Sequence, residues 1–348
     1  MSTIPKRIGP YKLFEEIGKG SVAIVYRAQD TRNQQVVALK VLLPELLRNP
    51  SYADRFMREG KLGRSLHHKN IAKIYDISYA DGMLFSAMHY ADKGTLQDLF
   101  QRQKGSFPLS ETVQILRAVV DALESVGQSG YVHGNIKPSN ILFAGEQILL
   151  SDFGSKNGAD ELSVLSPTLS ADPTNQVYRA PELEQANHPV DARSDVYSLA
   201  VLTYCMLTGE RPSPVAARLT FRRRIEDGLA AQATLNPPQL SRDLVAILRR
   251  ALSVDPAQRY THAKEFVDEI AQVKIDPATS LFPLALVNRE SAPSKLRRGV
   301  QGPTALTKAA STALVKPSTG KQGSSIWSRR LLELLAALIL LVGAVAIY

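Results

Sequence analysis

Residues 17–26 run Ile17-Gly18-Lys19-Gly20-Ser21-Val22-Ala23-Ile24-Val25-Tyr26, two glycines set between β-branched runs. Glycines at such a turn let backbone N–H groups come close to a phosphate. The same residues also suit a plain hairpin turn. Fourteen residues after Tyr26, the run Val37-Ala38-Leu39-Lys40 ends on a lysine. An ammonium closing so apolar a strand is costly to desolvate unless an anion meets it. Glu59, in Arg55-Phe56-Met57-Arg58-Glu59, stands on the next segment; it either supplies that anion or is a solvated helix charge. Further on lie Tyr131-Val132-His133-Gly134-Asn135-Ile136-Lys137-Pro138-Ser139-Asn140-Ile141-Leu142 and, twelve residues after Asn140, Asp152 in Ser151-Asp152-Phe153-Gly154. Ala180-Pro181-Glu182, Ser194-Asp195-Val196-Tyr197-Ser198-Leu199-Ala200 and Asp255-Pro256-Ala257-Gln258-Arg259 follow. Each alone fits a loop or a helix cap.

The elements that position these residues are read from periodicity. Short apolar runs with turn signals predict strands at Tyr11–Gly18, Ile24–Ala28, Val36–Val41, Ile71–Ser78 and Met83–His89. Tyr52–Leu66 reads as a helix. From Thr95 to Ile270 the spacing is mostly helical: Ser110–Gln128, Ser194–Thr208, Leu240–Leu252 and Thr261–Gln272. Ser110, and Asp191 or Ser194, are the expected helix starts. A small strand-rich lobe precedes a larger helical one, in keeping with the two domains or lobes expected of 348 residues.

In that order, across about 240 residues, these motifs resemble the protein kinase family, and the N-lobe wording is most like bacterial eukaryotic-like Ser/Thr kinases. The resemblance covers roughly residues 11–272. It implies an α+β, bilobal protein-kinase fold with a β-rich N-lobe at about 11–90 and a helical C-lobe at about 91–274. It further implies ATP and Mg²⁺ as cofactors. Ile17, Gly18, Lys19, Gly20 and Ser21 would cover the phosphates, with Ala23 in place of the usual third glycine. Val25, Ala38 and Leu142 would enclose the adenine, Met88 would stand behind it, and His89 and Ala91 would belong to the hinge. Lys40 would hold the α- and β-phosphates, oriented by Glu59. Asn140 and Asp152 would ligate Mg²⁺, whose preference for oxygen ligands suits an amide and a carboxylate. Asp195 would brace the catalytic loop from the long central helix, and His133, Phe153 and Gly154 would have structural roles. Glu182 and Arg259 would form a buried ion pair under the activation segment.

Three departures bear on catalysis. Where the family has H-R-D-x-K-P-x-N, this chain has H-G-N-I-K-P-S-N. The proton-accepting Asp is therefore Asn135, whose amide holds a hydroxyl but cannot take its proton. Loss of a general base removes on the order of 10²–10⁴ in rate, about 3–5 kcal/mol. Lys137 remains to stabilise the transferring phosphate. Gly134 replaces the arginine that grips a phosphorylated activation loop. Three residues before Tyr178 stands Asn175, not threonine, with Thr174 adjacent. The nucleotide side is thus kept while the transfer side is altered.

The remaining composition sets the context. At 44% hydrophobic the chain is not a wholly disordered one. A single cysteine, Cys205, excludes an intrachain disulfide and a cysteine-based zinc site. The opening residues hold no apolar run of the secretory kind, so no secretory signal is expected. The net charge of +9 is concentrated in residues 275–330, which carry +7, whereas residues 1–274 carry only +3. That distribution speaks against a nucleic-acid partner. Residues 275–328 read as a basic flexible linker, and 329–348 as a transmembrane anchor. Leu331–Tyr348 carries one charge and, as a helix, spans about 27 Å, flanked by Trp327, Arg329 and Arg330. A buried or partner helix is the alternative. The expected location is the cell membrane, single-pass, with the kinase-like domain cytoplasmic. Three functions compete: a membrane-tethered Mg-ATP-binding pseudokinase or weak kinase serving a protein partner, an active kinase acting on protein Ser/Thr, and a small-molecule phosphotransferase. Ala180–Glu182, Ser194–Ala200 and Arg259 belong to peptide-substrate architecture and argue against the third.

Overall fold

The computed structural model describes residues 6–273 apart from 104, 154, 157–175, 185–190, 213–217 and 232–239. The expected linker at 275–328 and anchor at 329–348 therefore lie outside the described residues, as do Gly154, Thr174 and Asn175. Among the described residues, no helix is long and apolar enough to cross a membrane.

The N-terminal part is an antiparallel sheet of six strands: β1 (Arg7–Ile8), β2 (Tyr11–Lys19), β3 (Ala23–Asp30), β4 (Val36–Leu42), β5 (Ile74–Ala80) and β6 (Met83–His89). Their order is β1-β2-β3-β4-β6-β5. Lys40 comes off β4, a central strand, in register with Val25 on one side and Ser86 on the other. Helix α1 (Pro44–Leu47) leads into α2 (Pro50–Ser65), which Asn49 caps by accepting from the Ser51 N–H, with a proline at its first position. Gly60 and Gly63 bring α2 close to the sheet: a Cβ on Gly60 would fall 2.0 Å from the Ile77 Cδ1, and one on Gly63 2.5 Å from the Ile74 Cδ1. That approach sets where Glu59 sits.

Beyond β6 come α3 (Leu96–Arg102), α4 (Leu109–Gln128), β7 (Tyr131–Val132), β8 (Ile141–Ala144), β9 (Gln147–Leu150), β10 (Ser155–Lys156), α5 (Ala192–Thr208), α6 (Arg218–Ala231), α7 (Arg242–Ala251) and α8 (Ala263–Gln272). Helices α4 through α8 enclose one large apolar core. Helix α5 is buried continuously from Ser194 to Leu207, and Gly209 ends it in a left-handed conformation.

Several sequence expectations need correction. Strand β5 begins at Ile74 rather than Ile71, because Ile71 is the bridge partner of Leu150, whose N–H donates to the Asn70 carbonyl and whose carbonyl accepts from the Ala72 N–H. Helix α4 starts at Leu109 after Pro108, without a side-chain cap from Ser110. Asp191 does cap α5, while Ser194 lies inside it and bonds Glu182. The stretch read as mostly helical also holds the β8–β9 hairpin and the β7–β10 pair. These short pieces carry the chemistry: Asn140 precedes β8 and Asp152 follows β9.

Two buried ionic arrangements hold the larger lobe. Arg259 meets Glu182 with two parallel bonds of 2.7 Å, and both side chains are buried. Burial raises the Glu182 carboxyl, but the guanidinium holds it below the usual range. Arg259 also donates to the carbonyls of Arg193, Ser253 and Val254, so the pair ties together three chain segments. The second arrangement is Asp195, which accepts from the backbone N–H groups of His133 at 3.0 Å and Gly134 at 2.8 Å. Burial pushes its carboxyl up to about 7 against the pull of those two bonds. Gly134 is left-handed at φ +66°, a conformation that glycine adopts freely and arginine does not. Beside it, His133 receives the Asn135 N–H at Nδ1 and donates from Nε2 to the Ser151 carbonyl. Burial lowers this neutral imidazole to about 4.

Removing one partner of the buried pair, as in Glu182→Ala or Arg259→Leu, should cost about 3–5 kcal/mol, seen as a large fall in Tm. Replacing both by leucine should recover part of that loss. The other two groups oppose each other in pH. From pH 6.5 down to 4 the unfolded chain takes up a proton that His133 refuses in the fold, so stability falls. From pH 7 down to 3.8 the folded chain holds a proton on Asp195 that the unfolded chain lacks, so stability rises. Asp195→Asn removes only the second effect. Between pH 7 and 5 the variant should therefore lose about 2 kcal/mol more than the native chain. Parallel Tm-against-pH curves would refute this.

Candidate active site

Between the sheet and the helices, Lys40 Nζ donates to Asp152 Oδ1 at 2.7 Å. Burial pushes the Lys40 ammonium down, but the Asp152 and Glu59 carboxylates more than offset it, and its hold on the proton ends above that of a free lysine. Asp152 mirrors this: burial raises it, and Lys40 brings it below the usual range. Each charge justifies the burial of the other. The expected Lys40–Glu59 pair is not formed here. Glu59 Oε1 instead accepts from Arg55 Nε at 2.7 Å, one helical turn earlier on α2. That i,i+4 spacing was the available signal. Glu59 nevertheless lines the same small cavity as Lys40, Ser86, Met88, Asp152 and Phe153, about 20 Å³ and roomy enough for about one water.

His133, Asn135, Asn140 and Phe153 come together in the fold. Phe153 is buried edge-on against His133, ring centres 4.9 Å apart. Asn140 is buried, and its Nδ2 donates to the Asn135 carbonyl at 2.8 Å. This bond fixes the amide so that Oδ1 keeps its lone pairs, met among the described residues by a long contact from the Ser139 hydroxyl at 3.4 Å. Asp152 holds φ +63°, uncommon for a non-glycine residue, which marks a backbone over-determined by its surroundings. The Asn135 side chain is exposed, and Lys137 is half-buried.

The apolar half of the cleft is equally assembled. Ala38, Met88 and Leu142 are buried in one cluster, with Val25, Tyr90 and Ala91 packed against it. His89 is half-buried; its N–H donates to the Lys73 carbonyl, and Tyr75 Oη lies 3.4 Å from its Nδ1. Above, Ile17, Lys19, Gly20 and Ser21 are exposed along the β2–β3 turn, closed by Gly20 N–H to the Ala23 carbonyl at 2.9 Å. A Cβ on Gly18 or Gly20 would meet only ordinary contacts at 3.8 and 3.6 Å. Packing does not demand these glycines; they keep open the space beneath the turn. Ala23 is buried with Leu42, Phe56 and Leu84, so its methyl faces the core and leaves that space untouched. Sequence reasoning passed over Ser86, buried in register with Lys40 on β6, a strand buried continuously from Leu84 to Met88. A small polar residue inside so apolar a run gives no pattern that singles it out.

The residues present fit a divalent cation and a triphosphate. Hard oxygen donors stand at Asn140 Oδ1 and Asp152, a cation at Lys40, and an open glycine turn lies above. Among the described residues no three His, Cys, Asp or Glu side chains cluster as metal ligands.

Comparison with known proteins agrees with this arrangement. The family described as the protein kinase domain matches residues 11–272. A probable serine/threonine-protein kinase of Clostridium acetobutylicum is 31% identical over 278 residues, covering 76% of this chain and 40% of that protein. Serine/threonine-protein kinase PknB of Mycobacterium leprae is 33% identical over 287 residues, covering 78% and 44%. The chain thus spans less than half the length of these relatives. Among solved structures, the PknI kinase domain of Mycobacterium tuberculosis is similar, with a TM-score of 0.57 and 28% identity over 76% of this chain and 96% of that one. The sheet, the helices and the cleft between them are accordingly those of a bilobal kinase fold, and the chain belongs to the protein kinase domain family, among the bacterial eukaryotic-like serine/threonine kinases.

Proposed function

We propose that this chain binds Mg-ATP in the cleft and transfers phosphoryl groups weakly or not at all, acting as a membrane-tethered signalling module. The observation that carries this reading is Asn135: an exposed amide stands where a carboxylate would accept the acceptor-hydroxyl proton, while Lys40, Asn140 and Asp152 are assembled. Bound Mg²⁺ would offset charge on the phosphate oxygens. Asn140 and Asp152 would hold it, Lys40 would hold the phosphates, and the buried Ala38, Met88 and Leu142 would enclose the base. Asn135 can orient a hydroxyl by hydrogen bonding but leaves its proton in place.

A second reading, an active kinase acting on protein Ser/Thr, is favoured by the formed Glu182–Arg259 pair, the Asp195 clamp and the retained Lys137. Phosphoryl transfer has a loose transition state in which positioning and charge supply most of the catalysis. The similar proteins named above are serine/threonine-protein kinases, so protein Ser/Thr is the substrate class under this reading.

The tether is proposed from Leu331–Tyr348, with residues 1–330 cytoplasmic and the basic linker near anionic headgroups, where each Lys or Arg contributes about 1 kcal/mol.

Three measurements test these statements on the full chain in detergent. Mg-ATP at millimolar concentration should raise Tm, and the absence of a Mg-dependent shift would remove nucleotide binding. Radiolabel transfer from ATP to the chain itself or to a basic protein should be slight, and should rise on the order of 10²-fold or more in Asn135→Asp. Robust native transfer that is lost in Lys40→Met would establish the second reading instead. Deleting residues 327–348 should move the protein from the membrane pellet to the soluble fraction; unchanged pelleting would sink the tether.

A further inference from the structure

One row of side chains crosses the sheet on a single face. Glu15 on β2 stands opposite Arg27 on β3, Arg27 opposite Ala38 on β4, and Ala38 opposite Met88 on β6. Ala38 and Met88 are two of the residues that would enclose the base, and Val25, two positions from Arg27, packs against them from the same face. The outer end of the row is an ion pair, Arg27 Nη1 donating to Glu15 Oε1 at 3.4 Å. So exposed a pair adds little stability by itself, but it fixes where the guanidinium lies.

The register of β2 against β3 shifts between Leu13 and Glu15, which makes Phe14 an extra residue in its strand. A bulge of this kind re-aims a side chain. Phe14 is large, apolar and 41% exposed. Its ring centre lies 5.0 Å from the Arg27 guanidinium carbon, which is also 5.9 Å from the ring centre of Tyr90. The cation is therefore shared between the bulged ring and a ring of the hinge. The hinge backbone is pinned on either side of Tyr90: the His89 N–H donates to the Lys73 carbonyl, and the Ala91 carbonyl accepts from the Gly94 N–H. Tyr90 itself packs its ring against the base-enclosing cluster, and Arg27 meets that ring from the sheet.

We propose that Arg27 is a positioning residue for the base: held by Glu15 and the bulged Phe14, it fixes the Tyr90 ring and with it the hinge segment His89–Ala91 that the base would meet. This rests on the reading that the cleft takes Mg-ATP, and it names the contact that orders the base-binding edge before the ligand arrives. Ordering a binding edge in advance removes a cost from binding. A partly exposed cation over one ring is worth about a two- to fivefold change in an equilibrium.

The test is calorimetric titration of the full chain in detergent micelles with Mg-ATP and with adenosine, for the native protein, Arg27→Leu, Tyr90→Leu and the double variant Arg27→Leu/Tyr90→Leu. Arg27→Leu should weaken both ligands by the same factor, about two- to fivefold, because both carry the base. In the Tyr90→Leu background the same change should alter Kd by less than about 1.5-fold. A merely structural role for Arg27 would persist without the Tyr90 ring, and a role for its charge at the phosphates would weaken Mg-ATP but not adenosine. Either result overturns the proposal, as does unchanged or tighter binding in Arg27→Leu. Arg27→Gln repeats the measurement should Arg27→Leu fold poorly. A native chain that takes Mg-ATP but not adenosine at millimolar concentration also overturns it, because the hinge then does not hold the base. Absence of Mg-ATP binding by the native chain overturns both this proposal and the reading beneath it. Native binding without the Arg27 effect overturns this proposal alone.

Discussion

A lysine on a central strand, facing inward, cannot stay charged without an anion in contact. Lys40 is such a lysine, and the rest of the molecule is arranged around that requirement. Its partner, Asp152, lies 112 residues further along and reaches the sheet only because the β8–β9 hairpin carries it there. The pair is self-neutralising, and each group holds the other in its charged form. Mg-ATP would replace both halves of this contact: metal for the ammonium at Asp152, phosphate for the carboxylate at Lys40. Under the proposed reading the contact would be a placeholder for the ligand, made from the groups that would bind it.

Asp152 can stand there only because the loop behind it is held from below. The buried Asp195 carboxylate on α5 grips two successive N–H groups, and His133 passes that support to the Ser151 carbonyl. Here the replacement of arginine by Gly134 has two consequences. It removes a cation, and it also places the one residue without a Cβ at φ +66°. The loop is therefore well held by its backbone. The weakened proton transfer proposed above is compatible with that stable geometry because the two depend on different atoms: one side-chain terminus for the first, backbone N–H groups for the second.

Much of this was legible from residue order alone. Strands β2, β3, β4 and β6 and helices α2, α4 and α5 lie where apolar periodicity placed them, whereas β1 was not foreseen, and the Glu182–Arg259 pair and the Asp195 clamp form between the residues the motifs singled out. Boundaries were less legible. Ile71 and Ala72 look like strand residues but are drawn into a bridge with Leu150, and four-residue strands such as β8 and β9 are too short to show a period. Ala23 was read as a tolerated substitute for glycine, whereas its methyl faces the core.

Sequence by itself determined which groups exist and which do not: an amide at 135, a glycine at 134, and the lysine, amide and carboxylate suited to a metal–phosphate ligand. These are matters of covalent chemistry at each position. Only the tertiary structure decided how the charges are shared. Lys40 chose Asp152 over Glu59, and Glu59 chose Arg55. Pairing in a partly buried site depends on ångström distances, desolvation and the neighbours of every competing group. No one-dimensional pattern contains those distances.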